Sequence, residues 1–170
     1  TLVGASDIPS PINPRTVHAL TGDEVERTIE DYVTCAALAQ EAGFDGVEIM
    51  GSEGYLITTF CAERTHNRTD AWGGPFENRI RFPVEIVRRT RERVGPDFII
   101  LYRISALDLV EGGLTGDETP ILAKEIEKAG ATILTTGLDS HEARTTTLAH
   151  LVTPRRLPHA PRRPPAAHAT

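Results

Sequence analysis

The chain has 170 residues, 39% hydrophobic and 25% charged, with a formal net charge of −6, the make-up of a soluble globular domain large enough for a core of its own. The acidic balance offers no footprint for nucleic acid or an anionic membrane as partner, and no apolar run is long enough to span a bilayer. Cys35 and Cys61 lie far apart in no CxxC pattern, so neither a disulfide framework nor a zinc or other metal site is implied; with no recognisable signal peptide, the cytoplasm is the expected location.

In chain order, residues 1–20, with Pro9, Pro11 and Pro14, read as a loop or crossing segment. "LTGDEVERTIEDYVTCAALAQEAG" reads as a helix: Thr21 or Asp23 caps its orphan N–H groups, acids crowd the first turn, and Gly43 stops it. Val25, Ile29, Tyr32 or Val33, Ala36 and Ala39 or Gln40 keep helical spacing. "FDGVEIM" follows as a short apolar strand. A long loop runs through Gly73-Gly74-Pro75, and "FENRIRFPVEIVRRTRERVG" gives a second helix, which Pro83 kinks or starts. "DFIILYRIS" is a buried strand. "GDETPILAKEIEKAG" is a third helix stopped by Gly130, and "ATILTTG" a third strand.

Helices ending in Gly, each leading into a strand, argue for an α/β protein built of parallel β/α units. A (β/α)₈ barrel is built from about 250 residues, so this chain holds only central units, a partial TIM barrel. An open doubly wound sheet competes, but no G-x-G-x-x-G follows any strand.

In a barrel, chemistry sits where the strands end. Tyr55 follows "GVEIM", Arg103 sits within "LYRIS", and His141 follows "ILTTG". A phenol, a guanidinium and an imidazole at three successive strand ends suit a proton donor, an anion clamp and an acid/base partner. Each also has a plain structural reading. Tyr55 can be a packing residue with its hydroxyl at the surface. Arg103 can be a structural ion pair with a nearby acid such as Asp108. His141, beside Glu142, can be an exposed loop residue. Glu53, two residues before Tyr55, either tunes the phenol or is simply solvated.

The run "AGFDGVEIMGSEGYLITTFCAERTHNRTDAWGGPFENRIRFPVEIVRRTRERVG", and within it "NRTDAWGG" with "ENRIRFPVEIV", resembles the Old Yellow Enzyme family of FMN-dependent (β/α)₈ oxidoreductases. "MGSEGYL", "DFIILYRISALDLVEGG" and "HEAR" resemble its bacterial NADPH-dependent 2,4-dienoyl-CoA reductase subgroup, over about residues 8–150. The resemblance implies Tyr55 as proton donor, His141 as its partner and Glu53 as an acid that modulates the pair. It implies Arg103 at the pyrimidine side of FMN and Met50 on the substrate side. Met50 and Glu53 stand where other members carry the His/Asn pair that binds a carbonyl. The small-molecule substrate implied is an unsaturated acyl-CoA. In the full-length subgroup FAD, a 4Fe-4S cluster and NADPH serve as well, at sites the resemblance does not find in this chain. A relative acting on amines or simple enoates is the second reading within the family.

The chain departs from that pattern at Thr58, Cys61, Asp139 and Ser140, and "RTTTLAH" lacks the form expected after "HEA". Residues 151–170 hold five Pro, four Arg and no acid, against a balance of −10 over residues 1–150. They read as a disordered Pro/Arg-rich tail, either natural or translated in a shifted frame, after an incomplete FMN-binding domain over residues 1–150. With Thr first and Met50 the sole methionine, the expectation is a piece of a longer enzyme. That piece is expected to lack the FMN phosphate site, hence to be catalytically inactive, and to self-associate through exposed barrel edges.

Overall fold

The computed structural model describes residues 1–137 and 140; the expectations for His141 and for the 151–170 tail lie outside the described residues. Two short parallel strands, β1 (Leu2–Gly4) and β2 (Val17–Ala19), pair at the N-terminus in a segment expected to be loop. Three residues are too few to carry a readable period, so only the partner strand defines each of them.

Helix α1 (Gly22–Glu41) begins where its cap was expected. Thr21 Oγ1 accepts from Glu24 N–H while the Glu24 carboxylate accepts from Thr21 N–H, a reciprocal capping box. The apolar stripe Val25, Ile29, Val33 and Ala36 is the buried face. Gly43, at φ 86, turns the chain out of the helix, and β3 (Gly46–Gly51) follows.

The loop after β3 contains a helix that the sequence does not announce, α2 (Leu56–Cys61). Its residues, Leu-Ile-Thr-Thr-Phe-Cys, are mostly β-branched or aromatic and weak helix formers. Burial of Ile57, Thr58, Phe60 and Cys61 overrides that propensity. The expected second helix is two: α3 (Phe76–Arg79) and α4 (Arg81–Val94) meet at Ile80. Pro83 accounts for the break. It has no N–H, and its ring would clash with the carbonyl four residues back, that of Arg79, so the ladder restarts after α3.

Strand β4 (Ile99–Ser105), helix α5 (Glu118–Ala129) and strand β5 (Ile133–Gly137) complete the described chain, with Gly130 in the left-handed conformation ending α5. The main sheet is parallel, in the order β3-β4-β5. Along β4, Ile100, Tyr102 and Ile104 are buried among the helices, while Ile99, Leu101 and Arg103 on the other face are only half-buried. One face is therefore covered by helices and the other is the inward face of a barrel wall; a doubly wound sheet would cover both. The core joins Val25, Ile29, Phe60, Phe82, Ile86, Ile100, Tyr102, Leu122 and Ile126. Phe60 and Phe82 stack at 4.2 Å between centroids. Among the described residues no helix is long and apolar enough to cross a membrane, and no His/Cys/Asp/Glu cluster is set to hold a metal ion.

Candidate active site

Four of the five expected residues lie on two neighbouring strands and the loop between β3 and α2: Met50 in β3, Glu53 and Tyr55 in that loop, and Arg103 in β4. Met50, Arg103 and Thr135 form one row across the sheet, since Met50 is in register with Arg103 and Arg103 with Thr135. Arg103 sits two residues before the end of β4, on the inward face, with a third of its side chain exposed.

Arg103 is paired, but not with Asp108. Its Nε donates to Glu48 Oε1 at 3.0 Å and its Nη2 to Glu48 Oε2 at 3.3 Å, while Nη1 lies 3.8 Å from Glu53 Oε1. Asp108 instead lies buried in the next loop, where it accepts from Ser105 Oγ at 2.5 Å and from Leu114 N–H at 2.6 Å. The hydrogen bond to Glu48, followed by the charge of that carboxylate, pushes the Arg103 pKa up, so the guanidinium is a permanent cation. Glu48 was not singled out from the sequence. Its signal is an acid at an inward position of one apolar strand and a base at an inward position of the next.

Glu53 has φ 69, a left-handed conformation rare for a residue with a long side chain. A parallel bridge to Ser140 holds its backbone, and its carboxylate lies against Gly137, where a Cβ would stand 3.0 Å from Glu53 Oε1. Ser52 beside it is fully buried, with Oγ 3.5 Å from Met50 Sδ. The turn after β3 is thus clamped from β5, and the clamp aims Glu53 at Arg103.

Tyr55 stands at the N-cap position of α2, 47% exposed. Beside it a cleft of about 240 Å³ is walled by Leu2, Val3, Ile8, Ile12, Val17 and Leu56. Tyr55 is therefore a solvent-reachable phenol on the rim of an apolar cleft, and its ring is not part of the core. Ser140, 4% exposed, is joined to the Tyr55 loop through Glu53; His141, the next residue, lies outside the described residues. Thr58 is buried within α2 and is not at the rim. Cys61 is fully buried, and burial, with the Asp108 charge adding to it, pushes its thiol up to about 12, which keeps it an unreactive core residue.

Parallel β/α units with a phenol, carboxylates and a guanidinium at their strand ends are the build of a barrel enzyme. The chain belongs to the NADH:flavin oxidoreductase / NADH oxidase family, which its residues 3–166 match. It is 42% identical over 146 residues to an NADH oxidase of Thermoanaerobacter brockii, a match covering 86% of this chain and 22% of that protein. Among solved structures it resembles a 2-naphthoyl-CoA reductase in complex with 2-naphthoyl-CoA, with TM-score 0.78 and 35% identity, over 85% of this chain and 22% of that one. It also resembles an Old Yellow Enzyme homologue from Zymomonas mobilis, with TM-score 0.72 and 29% identity, over 80% of this chain and 41% of that one. The described strands and helices are thus part of a (β/α)₈ barrel of that kind. The chain spans about a fifth of the length of the NADH oxidase. The family is one of oxidoreductases, and FMN is the cofactor it implies.

Proposed function

We propose that the chain carries the strand-end wall of the active site of an FMN-dependent oxidoreductase that reduces conjugated 2,4-dienoyl-CoA thioesters, with NADPH as the source of electrons. The observation that carries this reading is the approach of Glu53 to Arg103, Oε1 to Nη1 at 3.8 Å, with Tyr55 two residues further along the same loop. The likeness to a reductase that binds 2-naphthoyl-CoA supports a conjugated acyl thioester as substrate.

The donor set on the inward face fits a flavin ring. Met50 offers a polarisable thioether to a flat aromatic surface, Arg103 a cation, and Thr135 a hydroxyl, all in one row across three strands. Bound FMN supplies hydride chemistry. Arg103 would hold the electron-rich edge of the ring, with Met50 on the substrate side.

Hydride addition at the δ-carbon of the dienoyl thioester drives electrons toward the carbonyl, and the resulting dienolate needs one proton. Tyr55 Oη supplies it, since phenols keep their proton at neutral pH and donate well when a neighbour assists. Glu53 modulates that transfer, and His141 is the assisting imidazole.

The test is the Tyr55→Phe variant of the flavin-loaded protein. The expected result is dienoyl-CoA reduction slowed on the order of 10²-fold or more with flavin retained; an unchanged rate removes Tyr55 as proton donor. The 42% identity to an NADH oxidase favours a second reading, a flavin oxidoreductase without a thioester substrate. NADH oxidation by the flavin-loaded protein that is indifferent to dienoyl-CoA would select it.

A further inference from the structure

Glu48 lies on β3, in register with Leu101 and diagonal to Arg103. Its two carboxylate oxygens take two different guanidinium nitrogens, Nε at 3.0 Å and Nη2 at 3.3 Å. Such a fork fixes the plane of the guanidinium as well as its place. Thr135 Oγ1 donates to Glu48 Oε1 at 3.2 Å, so the carboxylate is itself held from β5. Three successive strands each contribute one residue to a single chain of bonds, Thr135 to Glu48 to Arg103. The remaining nitrogen, Nη1, is left facing Glu53 and the strand ends.

We infer that Glu48 is the positioning residue for Arg103: it sets the plane of the guanidinium, offsets its charge, and so sets the reduction potential of a flavin held against it. The inference rests on the proposed placement of the flavin edge at Arg103. A lone guanidinium there favours the reduced, more negative ring. Here Arg103 stands between Glu48 and Glu53, and the trio carries a formal charge of −1. Glu48 thus keeps the flavin a stronger reductant than Arg103 alone would allow. As an ion pair the contact does little for folding, because both side chains are 35% exposed. Its geometry serves the site more than the fold.

The experiment is an equilibrium redox-dye titration of the FMN-loaded chain and of Glu48→Gln, which keeps the shape and removes the charge. The expected result is that, at fixed poise, the ratio of reduced to oxidised flavin rises about tenfold in the variant, roughly 30 mV for a two-electron couple. Thr135→Val loosens the same carboxylate with little change of shape and serves if Glu48→Gln does not fold; its ratio is expected to rise as well, by less. A variant that is folded and FMN-bound with an unchanged ratio overturns the role of Glu48 and leaves the flavin assignment standing. An FMN-loaded Arg103→Met variant with an unchanged ratio overturns both, since the flavin edge then does not lie at Arg103. A merely structural Glu48 would lower the melting temperature without moving the ratio.

Discussion

Gly137, the last residue of β5, backs directly onto Glu53: a Cβ at Gly137 would stand 3.0 Å from Glu53 Oε1 and 3.1 Å from Ser52 Oγ. The end of one strand thereby sets where a carboxylate two strands away can lie. Glu53 tolerates φ 69 only because this wall and the bridge to Ser140 hold it. Asn accepts that conformation more readily than Glu. Glu53→Asn is therefore expected to leave stability unchanged or raise it by about 0.5–1 kcal/mol in denaturant unfolding, while slowing flavin-dependent reduction. A clear loss of stability would show that the Glu53 side chain, rather than the backbone clamp, holds the turn.

Gly51 and Tyr102 form a second close pair. Tyr102 is fully buried, its hydroxyl has no hydrogen-bond partner among the described residues, and a Cβ on Gly51 would collide with that hydroxyl. An unpaired buried hydroxyl costs free energy that a same-shape apolar ring does not. Tyr102→Phe is expected to stabilise the fold by about 1 kcal/mol, and Gly51→Ala to destabilise it by about 1–3 kcal/mol through overpacking. In the Tyr102→Phe background the cost of Gly51→Ala should shrink, and a double-mutant cycle measures that coupling. Additive effects would place the strain elsewhere.

Arg79 ties three segments together. It is 3% exposed and donates to Glu118 Oε1 at 2.7 Å, to Glu63 Oε1 at 3.3 Å and to the Cys61 carbonyl. Removing one partner of a buried pair leaves the rest unsatisfied. Arg79→Met should cost about 3 kcal/mol in chemical denaturation. Arg79→Lys should recover less than half of that, since an ammonium lacks the planar fork.

His66 gives the molecule a pH dependence of known sign. Both ring nitrogens are shielded from solvent. Burial, then the charges of Arg79 and Arg68, pull its pKa below the usual value, with Asp70 and the Thr59 backbone opposing. The unfolded chain therefore takes up a proton before the folded one does. The contribution to stability is complete above the unfolded value of about 6.5. It is lost as pH falls from there through the lowered folded value. The denaturant midpoint should drop between pH 7 and 5, and His66→Asn should flatten that part of the profile. Equal slopes for wild type and variant would assign the drop to the carboxylates instead.

The elements with a long, regular pattern were legible in the sequence. α1 was readable from its cap to Gly43 because capping and a 3.6-residue stripe are local properties. The three strands of the main sheet and the glycine stops were readable for the same reason, and with them the parallel β/α order. β1, β2 and α2 were not, because they are short and owe their form to partners distant in the chain. Residues of the strand ends were nameable one by one, Met50, Glu53, Tyr55 and Arg103, while their relation was not. Nothing local says that Arg103 pairs with Glu48 in place of Asp108, or that Gly137 makes room for Glu53. Strand register decides both, since it sets which side chains share the inward face and how far apart they stand. The chain by itself thus determined which groups are candidates for the site. Only the packing of three strands and the loops between them decided which charge each group meets.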